Sequence, residues 1–301
     1  MSRTDLLGPD PQRMAREVRL VASDLDGTLI GHDFRFRPRT QQALRQLEAA
    51  GIPIIFVTGR PWRWLDPLRD LHELGESIAP GADGEDQAPI GAVICSNGAL
   101  VYDFGQEAVV SSRTLSAQTA LEVHARLRRL FPQAVFSAET LRGVAAEPDW
   151  LVGDRTRIRG ARIGPLPQVL EPDDCVVKLL ARLPGADPQQ FVAAVSEEVS
   201  DLVSVTHSVA QAPLAEIART GLSKAEALAE HCRQRGIEAH EVLAFGDMPN
   251  DLRMLQWAGY GYALSSGDPA VVAAVERTAP GFDDDGVAQV IEQLLAVRAD
   301  L

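Results

Sequence analysis

Strand-like and helix-like segments alternate at both ends of this chain, while its middle follows a different pattern. Near the N-terminus, residues 18–23 read as a buried strand. Residues 38–50 read as a helix, with Ala43, Leu44, Leu47 and Ala50 at helical spacing and Gly51 as a stop. Residues 52–57 (IPIIFV) and 90–95 are further strands, and 61–74 a second helix. A Gly-, Pro- and acid-rich loop, 75–89, lies between them. Toward the C-terminus the same grammar returns, with helices expected over 222–235, 251–257, 269–277 and 286–298, and strands over 241–245 and 259–264. Such alternation implies the α/β class, a doubly wound, Rossmann-like parallel sheet with helices on both faces. The middle reads as helix 114–131, strand 175–183, helix 187–199 and strand 202–206 around a Pro-, Gly- and Arg-rich stretch, which is an α+β pattern. We therefore expect a flexible N-terminal extension (1–17), a core formed by 18–112 and 208–301, and an inserted α+β unit (113–207).

Bulk properties narrow the function. The length of 301 residues suits two domains, and 46% hydrophobic residues provide a substantial core. No apolar run is long enough to span a bilayer, and the polar, proline-bearing N-terminus has no apolar h-region, so a secretory signal is not expected. Cys95, Cys175 and Cys232 form no CxxC pair and no zinc pattern. These features point to a reducing, cytoplasmic setting. The formal net charge of −13 disfavours nucleic acid and anionic membranes as partners. It also means that any bound phosphate needs local positive charge or a metal ion. The sequence leaves the oligomeric state open.

Four short stretches fall where a predicted strand ends or a predicted helix begins, the edge at which doubly wound sheets bind ligands. Asp24-Leu25-Asp26-Gly27-Thr28 follows the first strand; alone it is equally a turn. Thr58-Gly59-Arg60 follows IPIIFV, where a hydroxyl and a flexible N–H suit a phosphate oxygen or merely make a turn. Ser223 and Glu226 are spaced as a capping box, which places Lys224 in the first turn of a helix. The macrodipole disfavours a cation there, so the lysine either faces water or answers a nearby anion. Asp247 and Asp251 follow EVLAF four residues apart, with Pro249 suited to a first helical turn. If the strands before Asp24 and Asp247 are neighbours, these carboxylates converge, and clustered carboxylates repel unless a cation joins them. Ligation by oxygen alone points to a hard cation, Mg2+ before Ca2+ or Zn2+.

In this order and spacing the stretches resemble the four motifs of the haloacid-dehalogenase superfamily of phosphatases. The Cof-type (subfamily IIB) branch, whose α+β cap is inserted between the second and third motifs, is the most similar. DLDGTL at Asp24, VTGR at Val57, SKAEAL at Ser223 and GDMPNDLRML at Gly246 correspond to the motifs. ICSNGALVYD at Ile94 resembles the lead into the cap, and DDDGVAQVIEQLL the C-terminal helix. The resemblance implies that Asp24 is a nucleophile forming an aspartyl-phosphate, and that Asp26 is the acid and base. It implies that Asp24, Asp247 and the Asp26 carbonyl hold Mg2+, with Asp251 acting through water or orienting the site. Thr58, Lys224 and Asn250 would hold phosphate oxygens, with the N–H groups of Leu25 and Gly59. One departure stands out: relatives carry a Met-Gly-Asn-Ala-like stretch where this chain has Leu264-Ser265-Ser266-Gly267.

The implied activity is Mg2+-dependent hydrolysis of a small phosphorylated metabolite such as a sugar phosphate, with the cap closing over the site and choosing the substrate. Arg155, Arg157 and Arg159 alternate and would share one face of a strand; they are either substrate ligands or a solvated face. Lys178 and His207 are further candidates, each also readable as structural. Trp62 and Trp64 either line the entrance or pack in the core. A phosphomutase or phosphotransferase would pass the same phosphoryl group to a sugar hydroxyl. A non-catalytic phosphate-binding regulator of this fold would usually lack a motif acid, and none is missing.

Overall fold

The computed structural model describes residues 6–66, 68, 92–151, 160–207 and 212–301. They fall into two compact units, one within Met1–Val110 and Ser223–Leu301, the other within Ser111–Leu222.

The first unit is built on strands β1 (Leu20–Ser23), β2 (Ile54–Val57), β3 (Ala92–Cys95), β4 (Leu100–Asp103) and β5 (Ala108–Ser112). The second contains β6 (Leu115–Ser116), β7 (Val135–Thr140), β8 (Gly143–Ala146), β9 (Arg162–Ile163), β10 (Cys175–Arg182), β11 (Val203–Thr206) and β12 (Leu214–Arg219). The chain then returns to the first sheet with β13 (Val242–Gly246), β14 (Tyr260–Leu264) and β15 (Arg277–Ala279).

In the first sheet the order is β15-β14-β13-β1-β2-β3-β4-β5. Pairing is parallel from β15 to β3, and β4 then turns back antiparallel on β3. All residues of β1, β2, β13 and β14 are buried, as expected of central strands covered on both faces. Leu20, Ala22, Ile55 and Val57 pack against Leu228 and Cys232 of the helix Lys224–Gln234 and against Met254 and Leu255 of the helix Leu252–Trp257. The helices Pro38–Ala49 and Gly286–Ala299 contact each other. The second sheet runs β11-β12-β10-β7-β8-β9. It has its own core, in which Phe136, Leu179 and Ile217 meet Val123 and Leu127 of the helix Ala117–Leu130 and Phe191 and Val195 of the helix Pro188–Val199.

Several expected boundaries change. Residues 11–17 are not a flexible extension but a helix, with Asp10 accepting from the Arg13 N–H as N-cap and Pro11 in the first turn. Met14 is fully buried, Tyr260 donates to Glu17 at 2.6 Å, and Arg298 donates to the carbonyls of Ala15 and Val18. The return to the first unit comes at Ser223 rather than residue 208, because β12 pairs antiparallel with both β10 and β11. Its alternation was masked because Glu216 is buried in an ion pair with Lys178 at 2.8 Å instead of facing water. The helix expected to reach residue 277 stops at Ala274, and β15 follows. Most of the expected helix 61–74 and the loop 75–89 lie outside the described residues; a short 3-10 turn covers Trp62–Trp64.

Candidate active site

The register of β1 pairs Ser23 with Phe245 on one side and with Phe56 on the other. Asp24 is therefore level with the ends of both neighbours, and Thr58 and Asp247 follow on the same sheet edge. The Asp24 N–H donates to the Phe245 carbonyl at 3.0 Å. Beyond it the Leu25 carbonyl accepts from the N–H groups of Thr28, Leu29 and Ile30, which closes a tight turn. Gly27 sits at φ +80°, and a Cβ there would lie 2.4 Å from Asp247 Oδ2. Only glycine allows both this backbone and this approach.

Lys224 joins the third stretch to the first and fourth. Its Nζ donates to Asp24 Oδ1 at 2.5 Å and to Asp251 Oδ1 at 2.6 Å, with 1% of its side chain exposed. Ser223 caps the helix through the Glu226 N–H. The reciprocal half of the capping box is absent, since Glu226 pairs instead with Arg253. The cation disfavoured at a helix start is thus held by two buried carboxylates. Asp251 Oδ2 in turn accepts from the N–H groups of Asp247 and Met248. Asp251 thus takes three donors and orients the turn around it. Thr28 Oγ1 donates to Asp247 Oδ1 at 3.1 Å.

Oxygens of Asp24, Asp247 and Asp251 lie within 4.8 Å of one another, and all three residues are buried. Three carboxylates against one ammonium leave an excess of negative charge. Burial works against the charge of Lys224, but Asp24 and Asp251 outweigh it and hold the ammonium protonated. Burial instead pushes Asp24 well above the carboxylate range, opposed by Lys224 and reinforced by Asp251 and Asp247. It pushes Asp247 up to about 7, with the Asp251 charge adding to the effect. Among the described residues no donor takes Asp24 Oδ2 or Asp247 Oδ2. This all-oxygen, electron-rich set fits a small hard cation.

Thr58 is fully buried and its Oγ1 accepts from the Arg60 N–H. Gly59 and Asn250 meet at a residue that sequence reasoning passed over, Asn97. Its Oδ1 accepts from Asn250 Nδ2 at 3.0 Å and would lie 3.2 Å from a Cβ on Gly59. Ser96 (φ +50°), Asn97 (φ +57°) and Gly98 (φ +100°) form a left-handed turn. The Asn97 N–H donates to the Thr58 carbonyl, and a Cβ on Gly98 would lie 2.6 Å from the Ser223 carbonyl. The turn therefore ties the second, third and fourth stretches together. The signal was the SNG sequence at a strand end.

Asp26 is the one motif acid that stands apart. Its side chain is 47% exposed and pairs with Arg60. Lys178 is engaged by Glu216, and His207 Nε2 is 3.3 Å from the Ala212 carbonyl, both within the second unit. Arg155, Arg157 and Arg159 lie outside the described residues. Trp62 stacks on Tyr102, whereas Trp64 is exposed rather than packed in the core. The Ser265-Ser266-Gly267 loop runs beside Asp247: the Asp268 N–H donates to the Asp247 carbonyl, and a Cβ on Gly267 would lie 2.4 Å from that oxygen.

The sequence pattern of haloacid dehalogenase-like hydrolases matches residues 21–291. The chain belongs to that family. This haloacid dehalogenase-like hydrolase is 25% identical to the 5-amino-6-(5-phospho-D-ribitylamino)uracil phosphatase YitU of Bacillus subtilis (strain 168), over 94% of this chain and 100% of the relative. It is 26% identical to the pyridoxal phosphate phosphatase YbhA of Escherichia coli (strain K12), over 91% and 97% of the two chains. In fold it is similar to the HAD subclass IIB sugar phosphatase BT4131, with a TM-score of 0.75, 20% identity and coverage of 93% and 100%.

Proposed function

We propose that this hydrolase is a Mg2+-dependent phosphatase of small phosphomonoester metabolites, with sugar phosphates and related polyol or heterocyclic phosphates as the substrate class. The observation that carries the reading is the buried ion cluster in which Lys224 bridges Asp24 and Asp251 beside Asp247. The substrates named for YitU and YbhA are likewise monoesters of small molecules.

Asp24 attacks phosphorus, the bond to the leaving oxygen breaks, and Asp26 protonates that oxygen, giving the alcohol and an aspartyl-phosphate. Asp26, now a carboxylate, takes a proton from water, whose oxygen attacks phosphorus and releases phosphate and Asp24. Lys224 holds Asp24 in place for attack, and with Thr58, Asn250 and the N–H groups of Leu25 and Gly59 it binds phosphoryl oxygens. Asn97 keeps Asn250 in position. Asp24, Asp247 and the Asp26 carbonyl would hold Mg2+, with Asp251 orienting the set. Bound there, the ion supplies neutralisation of the charge shared by phosphate and carboxylates.

The test is release of inorganic phosphate from a panel of phosphorylated metabolites, with and without Mg2+, beside Asp24→Asn. We expect turnover only with Mg2+, and a loss of about 1000-fold or more in Asp24→Asn. No Mg2+-supported release from any monoester, isomerised ester in place of phosphate, or full activity in Asp24→Asn would contradict the proposal.

A further inference from the structure

Arg60 follows Thr58-Gly59 and makes a two-pronged contact with Asp26. Nε donates to Oδ2 at 2.6 Å, and Nη2 donates to Oδ1 at 2.5 Å. The third nitrogen, Nη1, donates to the Trp64 carbonyl at 3.1 Å, and Cζ lies 4.7 Å from the centre of the Phe34 ring. The Arg60 backbone is fixed as well, its N–H by Thr58 Oγ1 and its carbonyl by the Ser96 N–H. Its side chain is only 13% exposed, against 47% for Asp26. In most surface pairs the long cation is the wetter and looser partner. Here the arginine is anchored on every side and the acid is not.

This contact bears on the reaction proposed above. In-line displacement puts the leaving oxygen on the side of phosphorus away from Asp24. The group that protonates it must therefore stand apart from the Asp24 carboxylate. Asp26 does so, outside the acids gathered around Lys224. An aspartate side chain with 47% of its surface in water has free rotation about its χ angles unless something holds it. The planar guanidinium fork is the group best suited to fix a carboxylate plane, and a lysine cannot reproduce it.

We infer that Arg60 is a positioning residue for Asp26: its fork sets the orientation from which the Asp26 carboxyl gives its proton to the leaving oxygen and takes one from water. The inference rests on the acid–base reading of Asp26. Arg60 need not touch substrate. It acts through Asp26, with Phe34, Trp64 and Thr58 holding it in turn.

Two phosphate esters of one ring separate the possibilities. 4-Nitrophenol leaves without much help, whereas phenol needs its proton. The ratio kcat/KM reports the step in which the leaving group departs. With Mg2+, Arg60→Met should lower kcat/KM for phenyl phosphate by about 10- to 100-fold, with a clearly smaller loss for 4-nitrophenyl phosphate. Arg60→Lys, which keeps the charge but not the fork, should fall between wild type and Arg60→Met. In an Asp26→Asn background, Arg60→Met should change kcat/KM by less than about twofold. Circular dichroism melts establish that the variants fold, and Arg60→Lys carries the comparison if Arg60→Met does not. Equal losses for both esters, or the same loss with and without Asp26, would overturn the inference and make Arg60 a substrate ligand or a packing residue. Full wild-type kcat/KM for phenyl phosphate in Asp26→Asn would instead overturn the acid–base reading, and the inference with it.

Discussion

At the scale of single residues, the site is a contest between burial and charge. Asp24, Asp247, Asp251 and Lys224 are each less than a tenth exposed. Burial, then the Asp251 charge, raises the Asp247 carboxyl to about 7, against about 4 in an unfolded chain. A folded value above the unfolded one means that the native state binds this proton more tightly. The contribution to stability is therefore complete below about pH 4 and is lost as pH rises through about 7. Asp24 shifts in the same direction. Without metal, the cluster should lower the melting temperature between about pH 5 and pH 8, and Asp247→Asn should flatten that fall. If Mg2+ binds the cluster as proposed, it stabilises the native state, and protons compete with it for the carboxylates. The Mg2+-induced rise in melting temperature should grow over the same interval. Calorimetry at about pH 5.5 and about pH 8 checks this, and an equal rise at both would contradict it. The acids and Lys224 were legible because chemistry restricts which residue types can serve. The SNG turn marked the place of Asn97, but neither its amide contact across 153 positions nor the Arg60–Asp26 ion pair across 34 leaves a pattern in the sequence.

At the scale of elements, the legible ones were those whose burial follows a simple period. IIFV and VLAFG are apolar throughout because both faces of a central parallel strand are covered. The elements missed are those whose stability comes from a partner. β5 lies at the sheet edge and does not alternate, β4 beside it alternates over only four residues, and β15 is three residues long. In β12 a polar residue is buried by its ion pair. The helix Pro11–Glu17 is only seven residues long and is held by tertiary contacts, its polar sequence notwithstanding. Met14 is fully buried in that helix and touches the Tyr262 hydroxyl. Met14→Ala should cost about 2–5 kcal/mol in urea unfolding, as for other buried methionines. A loss below about 0.5 kcal/mol would mean that the segment is frayed in solution, as its composition alone suggested.

At the scale of the whole molecule, the order of four motifs along the chain identified the family where no single motif did, because each alone is an ordinary turn or cap. The doubly wound sheet brings segments as distant as Asp24 and Lys224 to one edge. Under the proposed function, a chain of net charge −13 would hold its anion by local balance, through Lys224 and a cation taken by the carboxylates. The choice of substrate was not legible, since the four motifs specify the handling of a phosphoryl group and not the rest of the ester. Acid quench during turnover with Mg2+, followed by peptide mapping, shows whether phosphoryl transfer passes through Asp24. We expect one phosphoryl group on the peptide carrying Asp24 in wild type and none in Asp24→Asn, whereas a phosphoryl group on another residue, or turnover with no phosphorylated enzyme at any time, would contradict it.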